Sequence, residues 1–230
     1  KDALESISDA TATAVQWIIN CAPFGIMGLI FSTISEQGLD ALLSYGKLIL
    51  VLVGSMAVVI FIINPVIVFI FTKQNPFPLV FTCLKGSFIT AFFTRSSAAN
   101  IPVNMELCKK LGLDEDTYSI SIPLGATINM DGTAIYQGIC AIFIASCYGI
   151  HLTLSQMLTI VLTATLASIG TAGVPGAGMV MLAMVLTSVG LPVDGIALVA
   201  GVDRIFDMGR TTVNITGDAA CTMVVSVSYT

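Results

Sequence analysis

From Gly132 to Val193 the chain carries no Asp, Glu, Lys or Arg. A soluble fold cannot hide an uncharged stretch of that length, because its surface must be covered by charge. A lipid bilayer asks only for roughly 20 apolar residues per helical crossing. The rest of the chain agrees: 56% of residues are hydrophobic and 10% charged, and the mean hydropathy is +0.95. The fold class is therefore an all-α membrane protein, multi-pass and in contact with membrane lipids. The formal net charge of −5 offers no basic surface, so nucleic acid is excluded as a partner. The six cysteines form no CxxC pair and no cluster with histidine, which argues against a metal centre or a disulfide framework. They read as small hydrophobes in apolar helices. The opening KDALESISDA reads as a helix already under way, and the expectation is that further N-terminal spans precede it.

The apolar sequence is punctuated in a particular way. Residues 12–34 form a first span with Pro23 near its middle, where a kink is expected. Residues 35–46 read as a polar loop and 48–72 as a second span. After the break KQNPFP, residues 79–94 and 101–108 are each too short to cross comfortably, and they flank the polar tip TRSSAANIP. This is the pattern of a re-entrant hairpin over 79–108, whose irregular tip is tolerated at membrane depth only if it is buried in protein or lines a cavity. Residues 117–150 read as a span broken at GATINMDGTA, where unwinding frees carbonyls to coordinate a cation. A second hairpin follows over 152–193, its apolar halves flanking SIGTAGVPGAG, which is poor helix sequence. The last helix covers 195–227. A hairpin followed by an interrupted or charged helix thus occurs twice, which predicts an internal inverted repeat with discontinuous segments at the midplane. Lys73, Lys85, Lys109 and Lys110 surround the first hairpin and place its base on the cytoplasmic side. The second hairpin then enters from outside, and the two tips meet.

The last helix carries the chain's densest polar sequence, DRIFDMGRTTVNITGD at 203–218. At 100° per helical residue, Asp203, Asp207, Arg210, Asn214 and Asp218 fall at about 0°, 40°, −20°, 20° and 60°, a single stripe about 80° wide. Ionisable groups in a membrane helix are expensive, so this stripe marks either a functional site or an internal ion-pair network.

Four motifs in order, TRSSAANIP (94–102), GATINMDGTA (125–134), SIGTAGVPGAG (168–178) and DMGRTTVNITGD (207–218), resemble the glutamate/aspartate transporter family, the dicarboxylate/amino acid:cation symporters. The resemblance covers most of 79–227, and residues 1–72 look like the two spans that precede the first hairpin in that family. It implies an elevator-type transporter with two re-entrant helical hairpins and a broken transmembrane helix, assembled as a homotrimer in the plasma membrane (the cell inner membrane). Residues 1–46 would be the trimerisation scaffold helix and an outer loop. Residues 47–230 would be the moving transport domain.

The resemblance also assigns residues. Asp207 would pair with the substrate ammonium and Arg210 with a substrate carboxylate, in the fork geometry that guanidinium allows. Thr211 and Asn214 lie beside them. Ser96 and Ser97 would hold the substrate α-carboxylate at the first tip, Thr133 would donate its hydroxyl, and Val174 and Gly178 belong to the second tip. The cofactor implied is Na+. Asp218 would ligate it with oxygens near Gly125, Asn129 and Asn214, as a hard cation prefers. Oxygens around Thr127, Ser168, Ile169 and Thr171 would make a second site, and Asn129 with Asp131 a third. Arg95 and Asp203 are expected to form a structural ion pair. Each residue also has a plain structural reading: Asp207 with Arg210 as a bundle ion pair, the serines as caps, the glycines as a loop, Asp131 as a packing acid. His151, at a span end, reads as a surface residue.

For the substrate, two signals conflict. The tip TRSSAANIP looks like the serine/threonine branch, because the acidic-substrate branch more often has a third serine where Ala98 stands. NMDGTA and DMGRT look like the aspartate/glutamate branch, and a buried arginine without a counter-charge is costly. The reading favoured on that ground is a sodium-coupled symporter of L-aspartate or L-glutamate, with L-serine/L-threonine as the alternative. An enzyme is not expected, since the lone histidine and Ser96 make no nucleophile motif. An ion channel is the remaining rival and would need a continuous polar pore.

Overall fold

The structure is a computed structural model, and it describes residues 40–229. The chain divides into compact units at residues 1–44 and 45–230. The expected span at 12–34 lies outside the described residues. Among those described there is helix and no strand.

Helix α1 (Asp40–Val58) passes through a π turn at Val59–Ile63 into α2 (Asn64–Thr72). Residues 40–46, expected as loop, are helical. The π turn has a local cause. Pro65 lacks an N–H and crowds the carbonyl four residues back, and the ladder widens so that the Asn64 N–H reaches Val59 O. Such a bulge relieves a proline inside an otherwise continuous helix. Lys73 closes α2 in the left-handed region (φ 56).

The first hairpin is α3 (Phe77–Thr94) and α4 (Ser97–Lys110). Its first arm is longer than 79–94 and reaches the minimum length for a crossing. The expected broken span is α5 (Glu115–Ile128) and α6 (Asp131–Cys147). The break is confined to Asn129 and Met130, narrower than the ten-residue motif suggested, because Gly125 through Ile128 stay helical on the end of α5. The second hairpin is α7 (Leu154–Ile169) and α8 (Ala177–Ser188). A capping box between Thr153 and Gln156 starts α7. Residues 170–176 form its irregular tip.

The last segment departs from a single helix. A short α9 (Ile196–Ala200) ends at Gly201, and α10 (Asp203–Tyr229) starts afresh. Asp203 thus stands in the first turn of α10, where a helix favours negative charge. From Arg210 to Ala220 every residue of α10 is buried, so α10 is the hub against which the other elements pack. The main apolar core lies along one side, with Leu52, Met56, Tyr136, Ile144, Leu182, Val185 and Phe206. The segments Tyr45–Thr72, Phe77–Thr94 and Glu115–Cys147 are long and apolar enough to cross a membrane, and their outer faces carry large apolar side chains such as Leu50, Phe69, Phe93 and Ile120.

Candidate substrate and cation site

The two hairpin tips touch. Arg95 ends α3 in the left-handed region (φ 54), turning the chain so that Ser96 is extended and caps α4. The Ser96 hydroxyl accepts from the Ala99 N–H (3.1 Å) and donates to the Gly173 carbonyl (2.7 Å). The Ala98 N–H donates to the same carbonyl (3.0 Å). One oxygen of the second tip therefore collects two donors from the first. Ser96 fulfils its capping role and stands outside the cavity lining. Ser97, buried as the first residue of α4, faces the cavity, where a first-turn N–H has no partner within its own helix.

The second tip reaches the stripe on α10. The Gly176 N–H donates to Asp207 Oδ2 at 3.0 Å. Gly178 passes so close to Arg210 that a Cβ there would lie 2.5 Å from Nη1. Val174 lines the cavity from an exposed position.

The stripe itself forms an ion-pair cluster. Arg210 Nε donates to Asp207 Oδ1 at 2.8 Å. Nη1 lies 3.4 Å from Asp203 Oδ1. Nη2 lies 2.8 Å from Asp207 Oδ1, off the hydrogen-bond axis. Arg95 Nη1 is 4.0 Å from Asp207 Oδ2. The expected Arg95–Asp203 pair is thus corrected: Arg95 sits beside Asp207, and Asp203 pairs with Arg210. Long side chains on a helix lean toward its N-terminus, which carries the guanidinium back along the stripe to Asp203. The guanidinium also stacks over the Tyr136 ring at 4.6 Å, an attraction between cation and aromatic face. Tyr136, one turn from Thr133 on α6, was not singled out in the sequence, since it lies beyond the GATINMDGTA motif in an apolar run; its spacing from Thr133 was the available signal. Gln137, also buried and missed, points its amide at Gly178 O (3.5 Å).

Asn214 is fixed by three contacts with the broken helix. Its Oδ1 accepts from the Gly132 N–H (2.8 Å), and its Nδ2 donates to Thr133 Oγ1 (3.2 Å) and faces Met130 Sδ (3.2 Å). The Thr133 oxygen thereby accepts a bond, and its own hydrogen is donated to Met130 Sδ (3.5 Å), a weak acceptor that a ligand oxygen would outcompete.

Below this lies a nest of oxygens. Asp218 is 3% exposed, and no basic side chain pairs with it among the described residues. Asn129 Nδ2 donates to Asp218 Oδ1 (2.9 Å) and to the Asn214 carbonyl (3.3 Å), so both oxygens converge on one point. Gly125 lies against the same carboxylate, where a Cβ would be 2.7 Å from Oδ1. A buried carboxylate with no basic partner among the described residues, converging with the Asn214 carbonyl beside the helix break at Asn129, fits a hard cation by its donor set. Of the other predicted cation residues, Ser168 and Thr171 are buried; Ser168 bonds Thr165 O within α7 (2.8 Å), and Thr171, in the tip, bonds Ala167 O at the end of α7 (2.7 Å). Thr127 and Ile169 are exposed, Thr127 bonding Leu124 O at 2.9 Å. Asp131 is exposed at the start of α6 and outside the hydrogen-bonded cluster.

Between the tips and the stripe lies a cavity of about 10 Å³ lined by Ser97, Met130, Thr133, Asp207, Arg210 and Asn214 among others. That is room for roughly one water; the arginine fills the rest. Arg95, Arg210 and Asp207 line it, and Asp203, behind Arg210 and outside the lining, completes an ion-pair cluster of two arginines and two aspartates.

These features define a polytopic helical membrane protein with a buried polar pocket built where broken helices meet. The sodium:dicarboxylate symporter family model matches residues 1–228, and the chain belongs to that family. It is thus a multi-pass protein of the plasma membrane, of a transporter family rather than an enzyme family. Among its relatives, the serine/threonine transporter SstT of Bifidobacterium adolescentis is 45% identical over 210 residues, 91% of this chain and 49% of that protein. SstT of Streptococcus agalactiae is 46% identical, covering 99% of this chain and 58% of that protein. SstT of Streptococcus suis is 53% identical over 79% of this chain and 51% of that protein. The chain spans about half the length of the curated relatives it matches.

Proposed function

We propose that this chain holds the substrate and cation sites of a sodium-coupled symporter for L-serine and L-threonine. The observation that carries this reading is the charge-balanced cluster of Asp203, Asp207, Arg210 and Arg95. The acidic-substrate reading rested on Arg210 needing a carboxylate from outside. Asp203 and Asp207 supply that counter-charge internally, so a substrate without net charge leaves the pocket neutral. The names of the relatives point the same way and favour serine/threonine over aspartate/glutamate.

In this reading a zwitterionic amino acid displaces Arg210 from Asp207. Its ammonium takes the Asp207 carboxylate, its α-carboxylate the N–H groups at Ser97, and its hydroxyl the hydrogen that Thr133 otherwise donates to Met130 Sδ, with Thr211 and Asn214 closing the wall. Sodium is held by Asp218 with carbonyls near Gly125, Asn129 and Asn214, and further ions by the oxygens around Thr127, Ser168, Ile169, Thr171 and Asp131. The two hairpins are re-entrant and meet at the midplane, Val174 and Gly178 belonging to the outer one. Residues 47–230 move as a transport domain past a trimeric scaffold that includes residues 1–46. The separation of compact units at residues 44 and 45 lies near that boundary.

The test is binding of labelled serine, threonine and aspartate to the purified full-length protein in sodium and in choline. Serine and threonine are expected to bind in sodium only, with aspartate roughly tenfold weaker or more, a difference of about 1.4 kcal/mol. Tighter aspartate binding would restore the acidic reading, and binding indifferent to sodium would end the symporter reading. Asp218→Asn is expected to flatten the sodium dependence.

A further inference from the structure

A second buried polar cluster lies outside the pocket. Ser87 on α3 and Asn100 and Asn104 on α4 are all essentially unexposed. The Ser87 hydroxyl donates to Asn104 Oδ1, and Asn100 Nδ2 donates to the same oxygen at 3.2 Å. With its oxygen occupied by two donors, the Asn104 amide has one orientation. Its nitrogen then faces α10 and donates to the Ile215 carbonyl at 3.0 Å. Burying three polar side chains in a membrane hairpin is costly unless each is bonded, so the cluster holds the hairpin in one place on α10.

That place matters. Ile215 lies between Asn214, whose carbonyl accepts from Asn129, and Asp218, whose carboxylate accepts from the same amide. Two consecutive carbonyls of α10 are therefore gripped by side-chain amides from different elements: Asn214 O by the broken helix and Ile215 O by the first hairpin. The Ile215 carbonyl belongs to the peptide next to the one that bears the Asn214 oxygen, so the docking of the first hairpin and the placement of that oxygen share one stretch of backbone. The same hairpin carries Ser97 at the other end of α4.

We propose that Asn104 is a positioning residue for the cation site: through Ile215 O it sets the Asn214 carbonyl relative to Asp218 and links cation binding to the first tip. This rests on the sodium reading above. Groups bonded directly to a metal's ligands typically change affinity by roughly tenfold or more when lost; Asn104 acts through the neighbouring carbonyl, so a smaller change is expected of it.

The experiment compares wild type, Asn104→Leu and Ser87→Ala in the full-length protein. It reads the sodium concentration for half-maximal serine binding, serine affinity at saturating sodium, and the thermal stabilisation that sodium gives without serine. Asn104→Leu is expected to raise the half-saturating sodium concentration by roughly threefold to tenfold, up to the effect of losing a direct ligand partner, and to shrink the sodium-induced stabilisation, with serine affinity at saturating sodium within about twofold of wild type. Ser87→Ala, which frees the amide to turn but leaves no carbonyl orphaned, is expected to shift the same two quantities by a smaller factor. Equal loss of stability with and without sodium, at unchanged sodium dependence, would reduce the cluster to packing and overturn the proposal. So would failure of both variants to fold. Wild-type binding indifferent to sodium would instead overturn the function proposed above.

Discussion

Arg210 touches Asp207, Asp203 and the face of Tyr136, and it sits where a ligand would sit. Removing it exposes how the cluster is balanced. Arg210→Ala takes the guanidinium away from two buried carboxylates and leaves Asp207 with Arg95 at 4.0 Å, and breaking a buried pair from one side costs about 3–5 kcal/mol. The variant is expected to lose sodium-dependent serine binding and to unfold at lower temperature. Adding Asp203→Asn to it is expected to recover part of the thermal loss, because one uncompensated charge disappears; calorimetry on the two variants checks this. At this scale the sequence was informative about which residues share a face and silent about who pairs with whom. Helical spacing is fixed by geometry, so the stripe from Asp203 to Asp218 could be drawn from the letters. The choice of Asp203 by Arg210 over Arg95 depends on how far a flexible side chain leans and on where the first tip docks, neither of which the local sequence encodes.

Elements show the same division. The breaks at the two tips and after Ile128 were legible because proline, glycine and polar clusters are poor helix sequence. Their extent was not. The unwound part of the broken helix shrank to Asn129 and Met130, since the surrounding helix ends pack against α10. The restart of the last helix at Asp203 was also missed, since GIALVAGV reads as apolar helix and only Gly201 hinted at a stop. Close packing at these breaks is testable. A Cβ at Gly132 would stand 2.5 Å from the Arg210 carbonyl and 2.7 Å from its Cα, and backbone cannot yield as a side-chain tip can. Gly132→Ala is expected to cost about 1–3 kcal/mol and to pull the Gly132 N–H away from Asn214. Serine binding falls with it, whereas Gly138→Ala, where nothing stands within 4 Å, leaves both unchanged. Thermal unfolding and serine titration of the two variants give the comparison.

For the whole molecule, the placement of polar groups bears on the proposed carrier reading. They gather at the two tips, the helix break and α10, while outer faces such as those of α1, α3 and α7 are apolar. In proteoliposomes of the full-length protein, an inward sodium gradient is expected to drive serine accumulation above its outside concentration. Collapsing the gradient with a sodium ionophore abolishes it. Uptake that persists without the gradient would point to a passive pathway. Membrane class and helix order followed directly from the uncharged run and its interruptions, because the bilayer leaves so few ways to satisfy backbone polar groups. The meeting of Ser96 and Ala98 with a single oxygen on Gly173 did not, since it joins residues far apart in the chain. It has a consequence for reversibility. Parting the two turns would break the same pair of bonds whichever turn swung away, so the contact itself carries no preference for one side over the other.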